Sequence, residues 1–139
     1  MQKNILILII TTSLASCHLG DRITPPSDAE AAFVGGSLCL TTPGRTEIQK
    51  LKGVMFEIRG ESPGFTKFFK NEREYLTVKK DTCIPTFEYK FESGKAYNIT
   101  LSFTPYTDSV RSDYNPNYYS TSFVVWEGSD KKKNISYIN

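Results

Sequence analysis

The sequence predicts an all-β domain, an antiparallel sandwich of about seven strands closed by one disulfide. Three observations predict it. Short β-rich segments recur at close spacing between turn residues. No long segment carries a convincing helical period. A glycine turn, Gly94-Lys95-Ala96-Tyr97, leads straight into the clearest alternating strand.

The chain opens with a secretion signal. Lys3 supplies the positive charge, Ile5 to Ile10 an unbroken apolar run, and Leu14-Ala15-Ser16-Cys17 a small-residue cleavage site. The apolar run is far shorter than the roughly 20 residues of a membrane-spanning helix. Leu-Ala-Ser-Cys resembles a bacterial lipobox. That resemblance implies cleavage after residue 16 and a diacylglycerol and palmitate-type acylation at Cys17. Several acyl chains hold a protein stably where one does not. His18 follows, where an Asp would favour the inner membrane. The resemblance therefore implies the outer membrane, with the domain facing the periplasm.

Removal of the signal leaves 123 of the 139 residues, the size of one domain. The formal charge of +2 loses Lys3 and becomes nearly neutral, which gives no footprint for nucleic acid. Of three cysteines, Cys17 is assigned to lipid. In an oxidising compartment Cys39 and Cys83 are expected to pair, two free buried thiols being the alternative.

Residues 17–32 contain two prolines and no sustained period, and read as a lipidated terminus and tether. The C-terminal end of that stretch is also compatible with a first strand. The domain is expected over 33–139. Residues 33–40 are β-rich around Gly35-Gly36, which suggests a bulge or turn. Val54, Phe56 and Ile58 alternate with Met55, Glu57 and Arg59. Further strands are expected at 65–69, 75–79 and 82–84, with one helical turn compatible with 67–74. Tyr97, Ile99, Leu101 and Phe103 face one way in the strand 97–103, and Asn98, Thr100 and Ser102 face the other. Segments 120–126 and 134–138 complete the set.

The run from Phe91 through Gly94 to Tyr97 resembles the corner of immunoglobulin-like and fibronectin-like domains. There a tyrosine ring packs in the core while its hydroxyl bonds the backbone of the turn. Tyr97 is the candidate; an ordinary core tyrosine is the alternative. The fold expectation is therefore an immunoglobulin-like or fibronectin-like sandwich.

The search for chemistry points away from an enzyme. The sole histidine, His18, adjoins the anchor, so a histidine base is missing from the domain. There is no Cys/His cluster for zinc and no phosphate-cradling glycine loop, and no cofactor is expected beyond the lipid. Glu57, Glu61, Glu88 and Glu92 read as solvated positions. The spacing of Asp108 and Asp113 does not match a calcium loop. Lys131-Lys132-Lys133 reads as a solvated turn, with anionic head groups as the alternative.

The richest surface candidate is the run 106–119. Tyr106, Tyr114, Tyr118 and Tyr119 stand among Asp108, Arg111, Asp113 and small polar residues. Binding loops use that mixture because tyrosine gives contact area at low entropic cost. A loop packed onto its own sandwich is the alternative. Arg59, Phe65, Lys67 and Phe68 form a second candidate patch.

Over much of the domain the chain resembles the type VI secretion immunity lipoproteins, small enterobacterial proteins of the periplasm. The resemblance rests on Cys17 with Gly20-Asp21-Arg22, the Cys39 strand, Ile58-Arg59-Gly60 with Pro63, and Leu76-Thr77-Val78. Its most specific block is Cys83-Ile84-Pro85 with Tyr89, Phe91 and Gly94. The 106–119 loop is longer than that pattern, and 134–138 fits it loosely. The resemblance implies a protein partner, a secreted toxin effector that the lipoprotein binds and neutralises. The alternative function is a structural or assembly component of the envelope or of a secretion system.

Overall fold

Alternating apolar residues need a sheet with one face dry, and the longest strand shows how the chain supplies it. In the computed structural model, which describes residues 27–43, 48–79, 81–104 and 118–138, the central strand runs Ile48–Ile58. Its neighbour Ala96–Phe103 pairs with it antiparallel, from Leu51↔Phe103 to Ile58↔Tyr97. A β-bulge at Lys52 shifts the register between Leu51 and Gly53. One extra residue reverses the pleat. Leu51 and Val54, three residues apart, are consequently both fully buried, as is Phe56.

Nine strands are present among the described residues: β1 Ser27–Asp28, β2 Glu30–Val34, β3 Ser37–Thr41, β4 Ile48–Ile58, β5 Phe65–Phe68, β6 Leu76–Lys79, β7 Ala96–Phe103, β8 Tyr118–Glu127 and β9 Lys133–Tyr137. The large sheet has the path β1-β8-β7-β4-β5. β6 pairs with the first half of β4 and β5 with its second half. β9 runs antiparallel to the end of β8, while β1 lies parallel to its start. The second sheet is the β2–β3 hairpin.

The expected strands recur except at 82–84, where Ile84 makes only an isolated bridge to Leu40, and two further corrections apply. Gly35 and Gly36 both adopt positive φ, 58° and 85°, between paired Val34 and Ser37. Two such residues form the tight turn that matches strand twist, so 33–40 is the closing half of a hairpin. The domain also begins before residue 33. Ser27 and Asp28 pair with Tyr119 and Ser120, and Ala29 and Ala31 are buried. Residues 27–32 thus belong to the sandwich and not to the tether. Small alanines let β2 approach the core without the large apolar groups that announce a strand.

The second layer continues past β3 by a single bridge, Leu40↔Ile84, in which the Ile84 N–H donates to the Leu40 carbonyl at 2.8 Å. Beside it Cys39 and Cys83 are disulfide-bonded, with Cα atoms 4.8 Å apart. The bond ties two neighbouring pieces of one layer together. Past Pro85 the chain covers the core with rings rather than with a regular strand. Phe87 and Glu88 take consecutive positive φ, and the Tyr89 N–H closes that turn on the Thr86 carbonyl at 3.0 Å. Phe56 then meets Phe65, Tyr89 and Phe91 at ring-centroid distances of 5.3, 5.3 and 5.4 Å. Phe91 passes the contact to Tyr97 at 5.0 Å.

The corner at Tyr97 is formed. Its ring is fully buried, and its hydroxyl accepts a hydrogen bond from the Glu92 N–H at 2.8 Å. Burial holds the phenol above the usual tyrosine range, although the bond from Glu92 opposes the shift. Tyr97→Phe leaves that N–H unpaired and is expected to cost about 1 kcal/mol. An unchanged urea midpoint would count against the bond's contribution.

Candidate functional site: the outer face of the large sheet

Period-two alternation buries one face of β7 and β8 and leaves the other facing out. The inward set is Tyr97, Ile99, Leu101 and Phe103 on β7, with Tyr119, Phe123 and Val125 on β8. Directly paired residues share a face, so the register assembles the outer surface row by row. The first row is Phe68, Gly53, Ser102 and Tyr118 across β5, β4, β7 and β8. The second is Thr66, Met55, Thr100 and Ser120. The third is Glu57, Asn98 and Ser122, and the fourth Ala96, Val124 and Ser136. Trp126 and Asn134 close it.

The charge distribution of this surface is unlike that of the chain. Charged residues make up 23% of the sequence. On β1, exposed Asp28 pairs with Ser120 and extends the second row. Among the described residues of these rows Asp28 and Glu57 are the formal charges, and Arg59 reaches in from the β4 margin. Three large aromatics stand at its borders: Phe68 and Tyr118, each 54% exposed, and Trp126, 44% exposed. Depleted charge with aromatic and methionine side chains is the compositional mark of a protein interface. The interior of the face is fixed by short bonds. The Ser122 hydroxyl donates to Asn98 Oδ1 at 2.8 Å, and Arg59 Nε donates to the same oxygen at 3.1 Å. The Trp126 indole N–H donates to Ser136 Oγ at 3.0 Å. Such bonds hold the polar groups in one geometry before any partner arrives.

Gly53 lets Phe68 lie flat across the first row. A Cβ there would sit 2.2 Å from the Phe68 ring and 2.7 Å from the Lys67 carbonyl oxygen. Any side chain would lift the ring off the sheet.

The residues expected to bind a partner divide. Tyr118 points out on the first row. Tyr119 is 2% exposed, and its ring meets Phe103 edge-on at 5.6 Å. It is a core residue and not a contact, because the pleat turns neighbours on β8 to opposite faces. Tyr106, Asp108, Arg111, Asp113 and Tyr114 lie outside the described residues, as does Cys17.

The second expected patch does not come together. Phe65 stacks on Phe56 within the core, and Lys67 Nζ lies 5.8 Å from the Phe69 ring centroid. Arg59 follows the last residue of β4, whereas Phe68 pairs with Gly53 at its middle, and Arg59 is engaged with Asn98. In the lysine turn, Lys133 Nζ donates to the Phe91 carbonyl at 2.7 Å, so that charge ties β9 to the covering segment. Glu61 is paired with Lys95, and Glu57, Glu88 and Glu92 are exposed. Among the described residues no cluster of His, Cys, Asp and Glu is arranged to hold a metal ion. No described helix is long and apolar enough to cross a membrane.

The outer face escaped the sequence reading because small polar residues opposite an apolar set look like any solvated strand face. The available signal was their kind: Asn98, Thr100 and Ser102 on β7 and Ser120 and Ser122 on β8, where lysine and glutamate are usual.

No curated protein and no solved structure matches the chain. The family described as a domain of unknown function, DUF7480, matches residues 26–128, from the threshold of β1 to the end of β8. That span contains both sheets' main strands, the disulfide and the charge-depleted face, and the chain belongs to this family.

Proposed function

We propose that this protein is a lipid-anchored, non-enzymatic binding module of the outer membrane. Its periplasmic domain takes a toxic effector from a type VI secretion system onto the outer face of the large sheet and occludes it. The observation that carries this reading is the scarcity of charge, confined to Glu57, Asp28 at the β1 edge and Arg59 at the margin, on a broad, hydrogen-bonded surface bordered by Phe68, Tyr118 and Trp126. A face built for water alone gains nothing by excluding lysine and glutamate, whereas a face desolvated by a partner avoids the cost of burying their charges. The lipobox at Cys17 and the resemblance in the Cys83-Ile84-Pro85 block support the location and the immunity role.

The test places charge where the face is flattest. Thr66→Lys and Thr100→Lys flank Met55 on the second row. The doubly substituted domain is expected to keep its melting behaviour to within about 0.5 kcal/mol per surface substitution. Cells carrying it in place of the native protein are expected to be killed by siblings as readily as a deletion strain. Full protection by the variant would remove this face from the mechanism. A deletion strain with no sensitivity would remove the immunity role itself, and co-purification with a stable envelope complex would then identify a structural component.

A further inference from the structure

The large sheet closes one of its edges and leaves another open. At the closed edge β9 is joined to the second layer. The Tyr137 hydroxyl accepts the Ala31 N–H at 2.9 Å and donates to the Ala31 carbonyl at 3.0 Å. At the other side β5 ends the path of the sheet. The Phe69 N–H donates to the Lys52 carbonyl at 2.9 Å, which makes Lys52 and Phe69 a hydrogen-bonded pair. Such pairs alternate along an antiparallel ladder. Phe65 and Lys67 therefore turn their main-chain groups toward β4, and Thr66 and Phe68 turn theirs to the open edge. Among the described residues nothing is bonded to those groups, and Thr66, Lys67 and Phe68 are all exposed.

A strand edge with free N–H and C=O groups is a template for another strand. The Phe68 ring does not cover this one, because it lies back over Gly53, within 2.2 Å of where a Cβ would stand. The one charge on β5 is Lys67. It pairs with fully buried Val54, so it sits on the inner side of the sheet at the rim, with Nζ 5.8 Å from the Phe69 ring centroid. No described carboxylate forms an ion pair with it. A strand added antiparallel meets Thr66 and Phe68 in hydrogen-bonded pairs. It meets Lys67 in the non-hydrogen-bonded pair between them, where side chains come closest. A second copy of β5, added so that Thr66 of each faces Phe68 of the other, would set Lys67 against Lys67. Like charges directly opposite destabilise a pair, and opposite charges stabilise it. The edge thus disfavours its own copy and favours an acidic strand.

We propose that the β5 edge receives an extended segment of the partner protein as an added antiparallel strand, with a carboxylate opposite Lys67. Main-chain bonds to Thr66 and Phe68 supply affinity, and the charge pair sets register and choice of partner. Phe68 and Thr66 also begin the first and second rows of the outer face. The added strand therefore widens that face, and its outward side chains continue those rows. This inference deepens the proposed binding function, and it rests on that reading for the identity of the partner as an effector.

Two short capped peptides serve as probes. Each alternates valine with threonine, one around a central glutamate and the other around a central lysine. They are titrated into the isotope-labelled full chain in detergent while its backbone amide signals are followed. The glutamate peptide is expected to shift the amides of Thr66, Lys67 and Phe68 and to bind several-fold more tightly than the lysine peptide. Lys67→Glu is expected to reverse that order. Thr66→Pro removes an N–H that faces the open edge, where a strand tolerates proline, and is expected to abolish binding of both peptides. If that variant does not fold, the reversal in Lys67→Glu decides alone. Absence of binding, shifts centred away from β5, or an order unchanged by Lys67→Glu overturns the proposal. The titration involves no toxin and no sibling cells, so its failure leaves the immunity role to its own test. A deletion strain without sensitivity likewise leaves the edge to the peptides.

Discussion

Removing the disulfide by Cys39→Ser and Cys83→Ser together is expected to lower domain stability by about 4 kcal/mol, from the entropy of a loop closed over a sequence separation of 44. The location of the bond makes its loss more damaging than its place at the margin suggests. Past β3 the second layer has one backbone bridge, Leu40↔Ile84, before the chain becomes irregular. Without the covalent tie, that bridge is the one backbone link between β3 and the segment that carries Phe87, Tyr89 and Phe91 over the core. Such a segment opens locally at low cost. The expected record is a lower urea midpoint together with early amide exchange over residues 84–95. Native protein treated with reductant is expected to match the double variant. A midpoint unaffected by reductant would show that the ring contacts suffice.

Phe56→Ala is the second large effect, a loss of about 3 to 5 kcal/mol for emptying a fully buried aromatic site. Phe56 is where the two layers meet. Its ring lies within 5.5 Å of Phe65 from the sheet edge and of Tyr89 and Phe91 from the covering segment. No one neighbour can move into the vacancy without leaving another, since Phe91 is also engaged with Tyr97 and Phe123. Urea denaturation of Phe56→Ala beside Phe56→Leu measures this. A loss below about 1.5 kcal/mol in the alanine variant would be ordinary for a volume-conserving change, and would mean that the covering segment closes the gap.

These two sites show what the residues disclose in advance. The alternation Tyr97-Ile99-Leu101-Phe103 leaves no doubt about β7, and its mate β8 is almost as plain. The disulfide followed from an odd cysteine count and from reading the N-terminus as an export signal. The Tyr97 corner followed from a glycine turn before an alternating strand. The first half of β4 was hidden, because the bulge at Lys52 breaks the period on which strand recognition depends. β2 was hidden because its one buried residue is Ala31. The covering segment has no period at all; its rings pack in irregular backbone, and only the fold shows that they face Phe56.

The candidate site was legible in part. In the tyrosine-rich run, spacing alone could not separate Tyr118, which faces out, from Tyr119, which is core. The face itself is a product of register. Thr66, Met55, Thr100 and Ser120 belong to four strands and become neighbours only when the sheet is assembled. A row of small polar residues in one strand is ordinary. Several such rows side by side, with scarcely a charge among them, are not.

The central claim, that this face receives a delivered effector, is tested most directly by site-specific photocrosslinking during attack by sibling cells. A photoreactive residue is placed at Thr100 on the outer face or at Glu88 on the opposite layer of the full chain, and only the attacking cells are isotope-labelled. The account predicts a discrete labelled adduct from Thr100 and none from Glu88. A labelled adduct from Glu88 with none from Thr100 would contradict it.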